Sequence, residues 1–163
     1  MLFSISQIFG LPAHPFLVHV PIVLIPMATI TSVFSFFKRF RREILIATAT
    51  MAVLGAVFLF LGAGAGESLQ HDLPRSEAIH EHAEMGEQSQ APTAVFAISA
   101  VGAALAIVAV GQGFKFKGRT LSKKLISGLL VLTLASGLVA TIVVSQAGHS
   151  GAKSVWDSKG KDK

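Results

Sequence analysis

The stretch FLVHVPIVLIPMATITSVFSFFKRFRR (residues 16–42) decides the fold. It opens with an apolar run of about 20 residues, the length that a helix needs to cross a hydrocarbon core roughly 30 Å thick. Basic residues follow at once, and such clusters are typical of the cytoplasmic end of a membrane span. Three similar apolar runs follow, which predicts spans at about 15–37, 44–66, 92–112 and 125–147.

The composition supports a membrane protein. Of the 163 residues, 52% are hydrophobic and 14% are charged, whereas soluble domains average about 25% charged residues. Nearly the whole chain lies in the apolar runs or in the connections between them. We therefore predict one domain, 1–163, an all-α integral membrane four-helix bundle with an outer loop at 67–91 and a polar tail at 157–163.

The distribution of charge predicts the orientation, because cytoplasmic connections carry the excess of lysine and arginine. Nine of the 14 cations lie in the connections after the first and third runs, and all the acidic residues except Glu43 lie on the other side. Both termini are therefore predicted to be extracytoplasmic. The net charge of +5 does not indicate nucleic-acid binding, because the cations flank membrane spans and no aromatic platform accompanies them.

Several kinds of site are excluded by the residues themselves. The chain has no cysteine, which excludes disulfides, thiolate zinc sites and iron–sulfur ligation. His80-Glu81-His82 lacks the spacing of the zinc-protease motif, and no G-x-S-x-G nucleophile motif is present. We therefore expect that the chain is not an enzyme on its own.

Histidines provide the strongest functional signal. All six fall near segment ends that the orientation places on the outer side, and imidazole is a common ligand of metals and of haem iron. His14 and His19 are separated by about 140° of rotation on a regular helix, so the sequence favours ligation between helices over chelation within one. The six are His14, His19, His71, His80, His82 and His149.

Three interpretations of this histidine cluster remain open. The first is haem b, with His19 and His82 as the preferred axial pair, His14 and His149 as alternatives, and quinone or a membrane or extracytoplasmic redox protein as partner. The second is a copper or zinc ion. The third is a structural or proton-relay role, in which the imidazoles cap helix ends. For the metal interpretation the candidate ligands are His14, His19, His82 and His149 with Glu67 or Glu84, and Met85 would favour copper.

The predicted helices contain glycines and prolines at several positions. Glycines in the spans are interpreted as packing positions, since small residues let helix backbones approach closely in lipid. Pro21 and Pro26 each remove a helical hydrogen bond near His19 and predict a bend there, and Pro92 predicts a kink or a new helix start. The glycines in question are Gly62, Gly64, Gly66, Gly102, Gly128 and Gly137.

Three motifs resemble a bacterial family of membrane proteins known as domain of unknown function 2231. LPAHPFLVHVP (residues 11–21) resembles its Leu-Pro-x-His-Pro-x-x-Val-His-x-Pro pattern, HAEMGE (82–87) its His-Glu-x-x-Gly-Glu stretch, and GHSGAKSVW (148–156) its Gly-His-x-Gly-Gly-x-Leu-Val-Tyr end. The resemblance implies a four-span protein of the bacterial inner membrane, distantly similar to b-type cytochromes. It matches His14, His19, His82 and His149 to family motifs, and the chain departs from the patterns at Ala83 and Ala152.

Overall fold

Long helices make up most of the structure, a computed structural model that describes residues 7–72, 76–113, 115–116, 119–120 and 122–160. Short antiparallel strand pairs precede the first helix (β1, Gln7–Ile8; β2, Leu11–Pro12) and the last one (β3, Lys115–Phe116; β4, Arg119–Thr120), and a 3-10 turn covers Lys38–Phe40. The four long helices are α1 (Ala13–Phe34), α2 (Arg41–Asp72), α3 (Glu77–Gly111) and α4 (Lys123–Gly160).

Each long helix can cross a membrane by its length and composition. Even the shortest, α1 with 22 residues, is about 33 Å long. Large apolar side chains remain exposed on the outside of the bundle, as lipid contact requires, including Phe16, Val23, Ile98, Leu105 and Ile142. The structure confirms the predicted all-α fold with four spans, and the chain is a membrane protein embedded in a lipid bilayer.

Parts of the predicted connections are helical. Residues 67–72 continue α2, and α3 begins at Glu77, where the Ser76 side chain accepts a hydrogen bond of 3.2 Å from the backbone N–H of Ile79. The helix does not restart at Pro92, which lies inside α3, and α1 is continuous through Pro21 and Pro26. In the predicted polar tail, residues 157–160 belong to α4, and 161–163 lie outside the described residues.

The helices form a ring in which consecutive helices are neighbours and α4 packs against α1. Gly66 and Gly55 of α2 lie beside His14 and Ile25 of α1, respectively, so these two helices run antiparallel. Likewise, Gly151 of α4 lies beside His82 near the start of α3. The starts of α1 and α3 therefore meet the ends of α2 and α4, and we call this end of the bundle the histidine end.

The bundle interior is built from small residues with a few larger ones between them. Alanines dominate the buried core, where Ile25 and Phe96 are completely buried. Glycine allows the closest approaches: a Cβ added at Gly137 would lie 2.8 Å from both the Phe96 ring and the Thr29 hydroxyl. Hydroxyl pairs also join neighbouring helices, as small polar residues do in lipid: Thr29–Thr141 at 2.9 Å, Thr31–Thr48 at 3.0 Å and Ser99–Ser136 at 3.1 Å.

The substitution Gly137→Ala tests this packing. We expect it to destabilise the bundle by about 1–3 kcal/mol, because the new methyl group would overpack the contact with Phe96 and Thr29. Gly128→Ala on the same helix is the matched control, because an added Cβ there meets nothing within 4 Å. Unfolding in detergent measures both variants, and equal stability of the two would contradict the packing role of Gly137.

Candidate functional site

Two histidines from different helices meet at the histidine end. His14 on the first turn of α1 and His82 on the second turn of α3 lie with their Nε2 atoms 3.4 Å apart. The ring centroids are 5.7 Å apart and the planes are inclined at 77°. Both side chains are half-buried. The fold thus joins residues 68 positions apart in the sequence, and the preferred pair of the sequence analysis, His19 with His82, is not the pair in contact.

The outward nitrogen of His14 is held by the backbone of α2. His14 Nδ1 lies 2.7 Å from the carbonyl oxygen of Gly62. A carbonyl oxygen can only accept a hydrogen bond, so the N–H of the imidazole must be on Nδ1. In the neutral imidazole, Nε2 of His14 is therefore unprotonated, and its lone pair faces His82.

The outward nitrogen of His82 is held in the same manner by α4. His82 Nδ1 lies 3.1 Å from Ser150 Oγ, and the Ser150 hydroxyl donates its single proton to the Ala147 carbonyl at 2.9 Å. With this proton on the Ala147 carbonyl, Ser150 Oγ accepts the hydrogen bond from His82 Nδ1–H. Nε2 of the neutral His82 is then unprotonated, and two lone pairs face each other across the 3.4 Å gap. In the other tautomer, Ser150 donates to His82 Nδ1 and His82 Nε2–H donates to His14 Nε2.

Glycines provide the surfaces on which both rings rest. A Cβ added at Gly66 of α2 would lie 2.8 Å from His14 Nδ1, and one added at Gly151 of α4 would lie 2.8 Å from His82 Cε1. Any larger residue would occupy the space of the imidazole. Each of the four helices therefore contributes to the site: α1 and α3 provide the imidazoles, while α2 and α4 provide a glycine and a hydrogen-bond acceptor.

The other sequence-predicted ligands lie away from this contact. His19 is exposed and its Nδ1–H donates to the carbonyl of Pro15 on its own helix. The side chain of His149 is exposed, as are those of His80, Glu67 and Glu84, and Glu84 accepts a hydrogen bond from Gln88 at 3.3 Å. The side chain of His71 lies outside the described residues. Within the part of the chain that the structure describes, no group of three or more histidine and acidic residues could hold a metal ion.

A pocket of about 440 Å³ adjoins the site between α3 and α4. Ser150 lies in its wall and accepts the hydrogen bond from His82, so this residue connects the pocket with the two imidazoles. Met85 and His149, two candidates of the sequence analysis, also line it. Its lining residues are Glu81, Met85, Ser145, Gln146, His149, Ser150 and Lys153.

Sequence reasoning missed the residues that hold the imidazoles. The sequence favours helix packing over a glycine-lined ligand site for Gly62 and Gly66, and it singles out neither Ser150 nor Gly151 as a contact of His82. The available signal was the position of these glycines near the ends of α2 and α4, which antiparallel packing places beside the histidines at the starts of α1 and α3. The two departures from the motif patterns, Ala83 and Ala152, lie at exposed positions, outside the contact between the imidazoles.

Comparison with known proteins places the chain in a family by sequence. No curated protein and no solved structure matches the chain. The match to a family covers residues 10–163, a range that contains both imidazoles of the site and the glycines on which they rest. The family is described as predicted membrane proteins, in agreement with the four apolar helices. The chain belongs to this family, domain of unknown function 2231.

Proposed function

We propose that this chain is a membrane-embedded metal-binding module in which His14 and His82 together bind a copper or zinc ion. A single observation carries the proposal: the Nε2 atoms of the two imidazoles face each other at 3.4 Å, and each Nδ1 is hydrogen-bonded to a neighbouring helix. When both rings carry their proton on Nδ1, the two facing lone pairs repel each other, and a cation between them would turn this repulsion into attraction. Neutral imidazole nitrogen is a preferred ligand of both metals.

The hydrogen bonds behind the rings support a metal site. Histidines that bind metals commonly donate their second N–H to a carbonyl or a carboxylate, which fixes the ring and its tautomer. His14 donates to Gly62 and His82 to Ser150. Both rings therefore present their lone pairs in a fixed direction before an ion arrives. The bound ion would retain coordination positions for other ligands, consistent with a binding module that has no catalytic activity of its own.

The separation of the rings favours an ion over haem. Metal–imidazole bonds are about 2.0–2.1 Å long, so two axial imidazoles on opposite sides of a haem iron place their nitrogens about 4.0–4.2 Å apart, with the macrocycle between them. The observed separation is 3.4 Å. A haem between His14 and His82 would require both helices to open wide enough for the macrocycle, whereas an ion on the line between the two nitrogens requires the rings to separate by only about 0.6–0.8 Å.

Replacement of either imidazole tests the proposal. We expect His14→Ala and His82→Ala each to weaken binding of Zn²⁺ or Cu⁺ by more than about 100-fold. Loss of a residue that only supports a ligand costs up to about 100-fold in affinity, so loss of the ligand itself should cost more. His80→Ala, an exposed histidine on the same helix as His82, is the matched control and should bind like the unaltered protein. The measurement is competition with a chromophoric chelator on purified, metal-free protein, with elemental analysis for stoichiometry.

Two results of that experiment would contradict the proposal. One is unchanged ion binding in a double His14→Ala, His82→Ala variant whose thermal unfolding matches that of the unaltered protein. The other is a haem absorption band in protein from haem-replete cells that disappears in the same variant. The second result would assign the two imidazoles to haem instead of an ion.

Ser150→Ala tests the support of His82. Without the hydroxyl, His82 Nδ1–H loses its acceptor and the ring is free to rotate or to change tautomer, so we expect ion affinity to fall by about 10–100-fold. Ser154→Ala is the control, because the Ser154 hydroxyl donates to the Gly151 carbonyl within α4 and, among the described residues, bonds neither imidazole. Equal affinities of the two variants would contradict the positioning role of Ser150.

We also propose that the histidine end faces outward from a bacterial plasma membrane, with both termini extracytoplasmic. The exposed cations Lys38 and Arg39, between α1 and α2, and Arg42, in the first turn of α2, lie at the opposite end of the bundle. Such residues favour the cytoplasm. A reporter fused after Lys163 tests this orientation. We expect alkaline phosphatase to be active there and green fluorescent protein to be dark, and bright fluorescence would contradict the proposal.

A further inference from the structure

We infer that the ion bound by His14 and His82 is Cu⁺, held on a straight line between the two imidazole nitrogens. The inference rests on the proposed function, because it concerns which ion the two imidazoles bind. It is carried by the direction in which the rings face each other and by the number of ligands that the described residues provide.

The two imidazoles point at each other along one line. Their ring centroids are 5.7 Å apart and their Nε2 atoms are 3.4 Å apart. The difference between these distances equals two centroid-to-nitrogen distances of an imidazole ring, which is the largest value that it can take. Both Nε2 atoms therefore lie on the line that joins the centroids. The lone pair of a ring nitrogen points directly away from the ring centre, so an ion between the rings would form a straight angle with the two nitrogens.

A straight angle distinguishes between ions. Cu⁺ has a filled d shell and forms stable complexes with two collinear nitrogen ligands. Zn²⁺ in proteins is almost always tetrahedral, and Cu²⁺ prefers a square-planar or tetragonal arrangement. For a tetrahedral angle at the ion, each ring would have to tilt by about 35° from the line between the centroids. Such a tilt would disturb the hydrogen bonds that Gly62 and Ser150 form with the rings.

The number of ligands favours the same ion. Within the described residues, no group of three or more histidine and acidic side chains could hold a metal ion. Zn²⁺ between the two imidazoles would therefore need further ligands from water or from outside the chain, since its sites have four ligands. The coordination of Cu⁺ is complete with two imidazoles. Binding requires the nitrogens to separate to about 4.0–4.2 Å, a movement along the line that the rings already share, so their direction is kept.

X-ray absorption at the copper edge tests the coordination of the ion. We expect purified protein loaded with Cu⁺ under reducing conditions to show the intense near-edge feature of linear Cu⁺ and two nitrogen ligands. His14→Ala and His82→Ala should each lose this feature, because one of the two ligands is missing. His80→Ala, which removes an exposed imidazole from the same helix as His82, is the matched control and should give the spectrum of the unaltered protein.

Competition with chromophoric chelators tests the choice of ion. We expect Zn²⁺ to bind more than about 100-fold more weakly than Cu⁺. Disturbing the support of a single ligand costs up to about 100-fold in affinity, and here Zn²⁺ lacks protein ligands for half of its coordination positions. The Cu⁺ titration should saturate at one ion per chain in the unaltered protein and in His80→Ala.

The outcomes separate this inference from the proposed function. If no ion binds in a manner that depends on His14 and His82, the proposed function fails and the inference fails with it. If Zn²⁺ binds through both histidines at least as tightly as Cu⁺, the inference alone is wrong. A copper spectrum with three or four ligands in the unaltered protein would also overturn the straight, two-ligand arrangement, while the ion-binding function would stand.

Discussion

In lipid no hydrophobic force draws helices together, so this bundle depends on backbone approaches that only small residues allow. Alanines fill most of the buried core, and the closest contacts occur where a glycine faces a large side chain. At mid-bundle this partner is aliphatic or aromatic: Ile25 faces Gly55, and Phe96 faces Gly137. At the histidine end the same arrangement continues, but the large side chains are imidazoles. In the site, as in the core, a glycine faces a large side chain, but this side chain is a polar imidazole instead of an apolar group.

The presence of imidazoles at these packing positions has a chemical consequence. An imidazole has two nitrogens, and in a half-buried position each of them requires a partner or incurs a cost in free energy. The backbone of α2 and the hydroxyl of Ser150 satisfy the outward nitrogens of His14 and His82, respectively. Among the described residues, the inward nitrogens have only each other. They satisfy one another when one of them carries a proton, and two unprotonated nitrogens would instead favour a cation between them, which is the role of the proposed ion.

The helices could be predicted from the sequence because long apolar runs and basic connections determine spans by themselves. The sequence alone could not show which of His14 and His19 faces the interior of the bundle. In a soluble helix, polar and apolar faces would distinguish the buried side, but a membrane helix is apolar towards both lipid and bundle. Only the packing reveals that Ala13 and Leu17 lie in the buried stripe of α1, which leaves His19 on the exposed side and His14 beside α2. The periodicity of α3 is more informative, because its first turns are polar: the spacing of Ile79 and His82 indicates one inward face, and in the structure His82 is half-buried while His80 is exposed.

The position of the imidazoles in the bundle bears on how firmly an ion would be held. A structural zinc site has four protein ligands and is closed, whereas an open site keeps positions for water or for an exchanging ligand. Here the two imidazoles lie on the first turn of α1 and the second turn of α3, and a pocket that shares Ser150 with His82 lies beside them. An ion bound by His14 and His82 would retain positions for ligands from outside the chain. Such a site suits an ion that is received and passed on, since a ligand from a partner can enter before either imidazole has to leave.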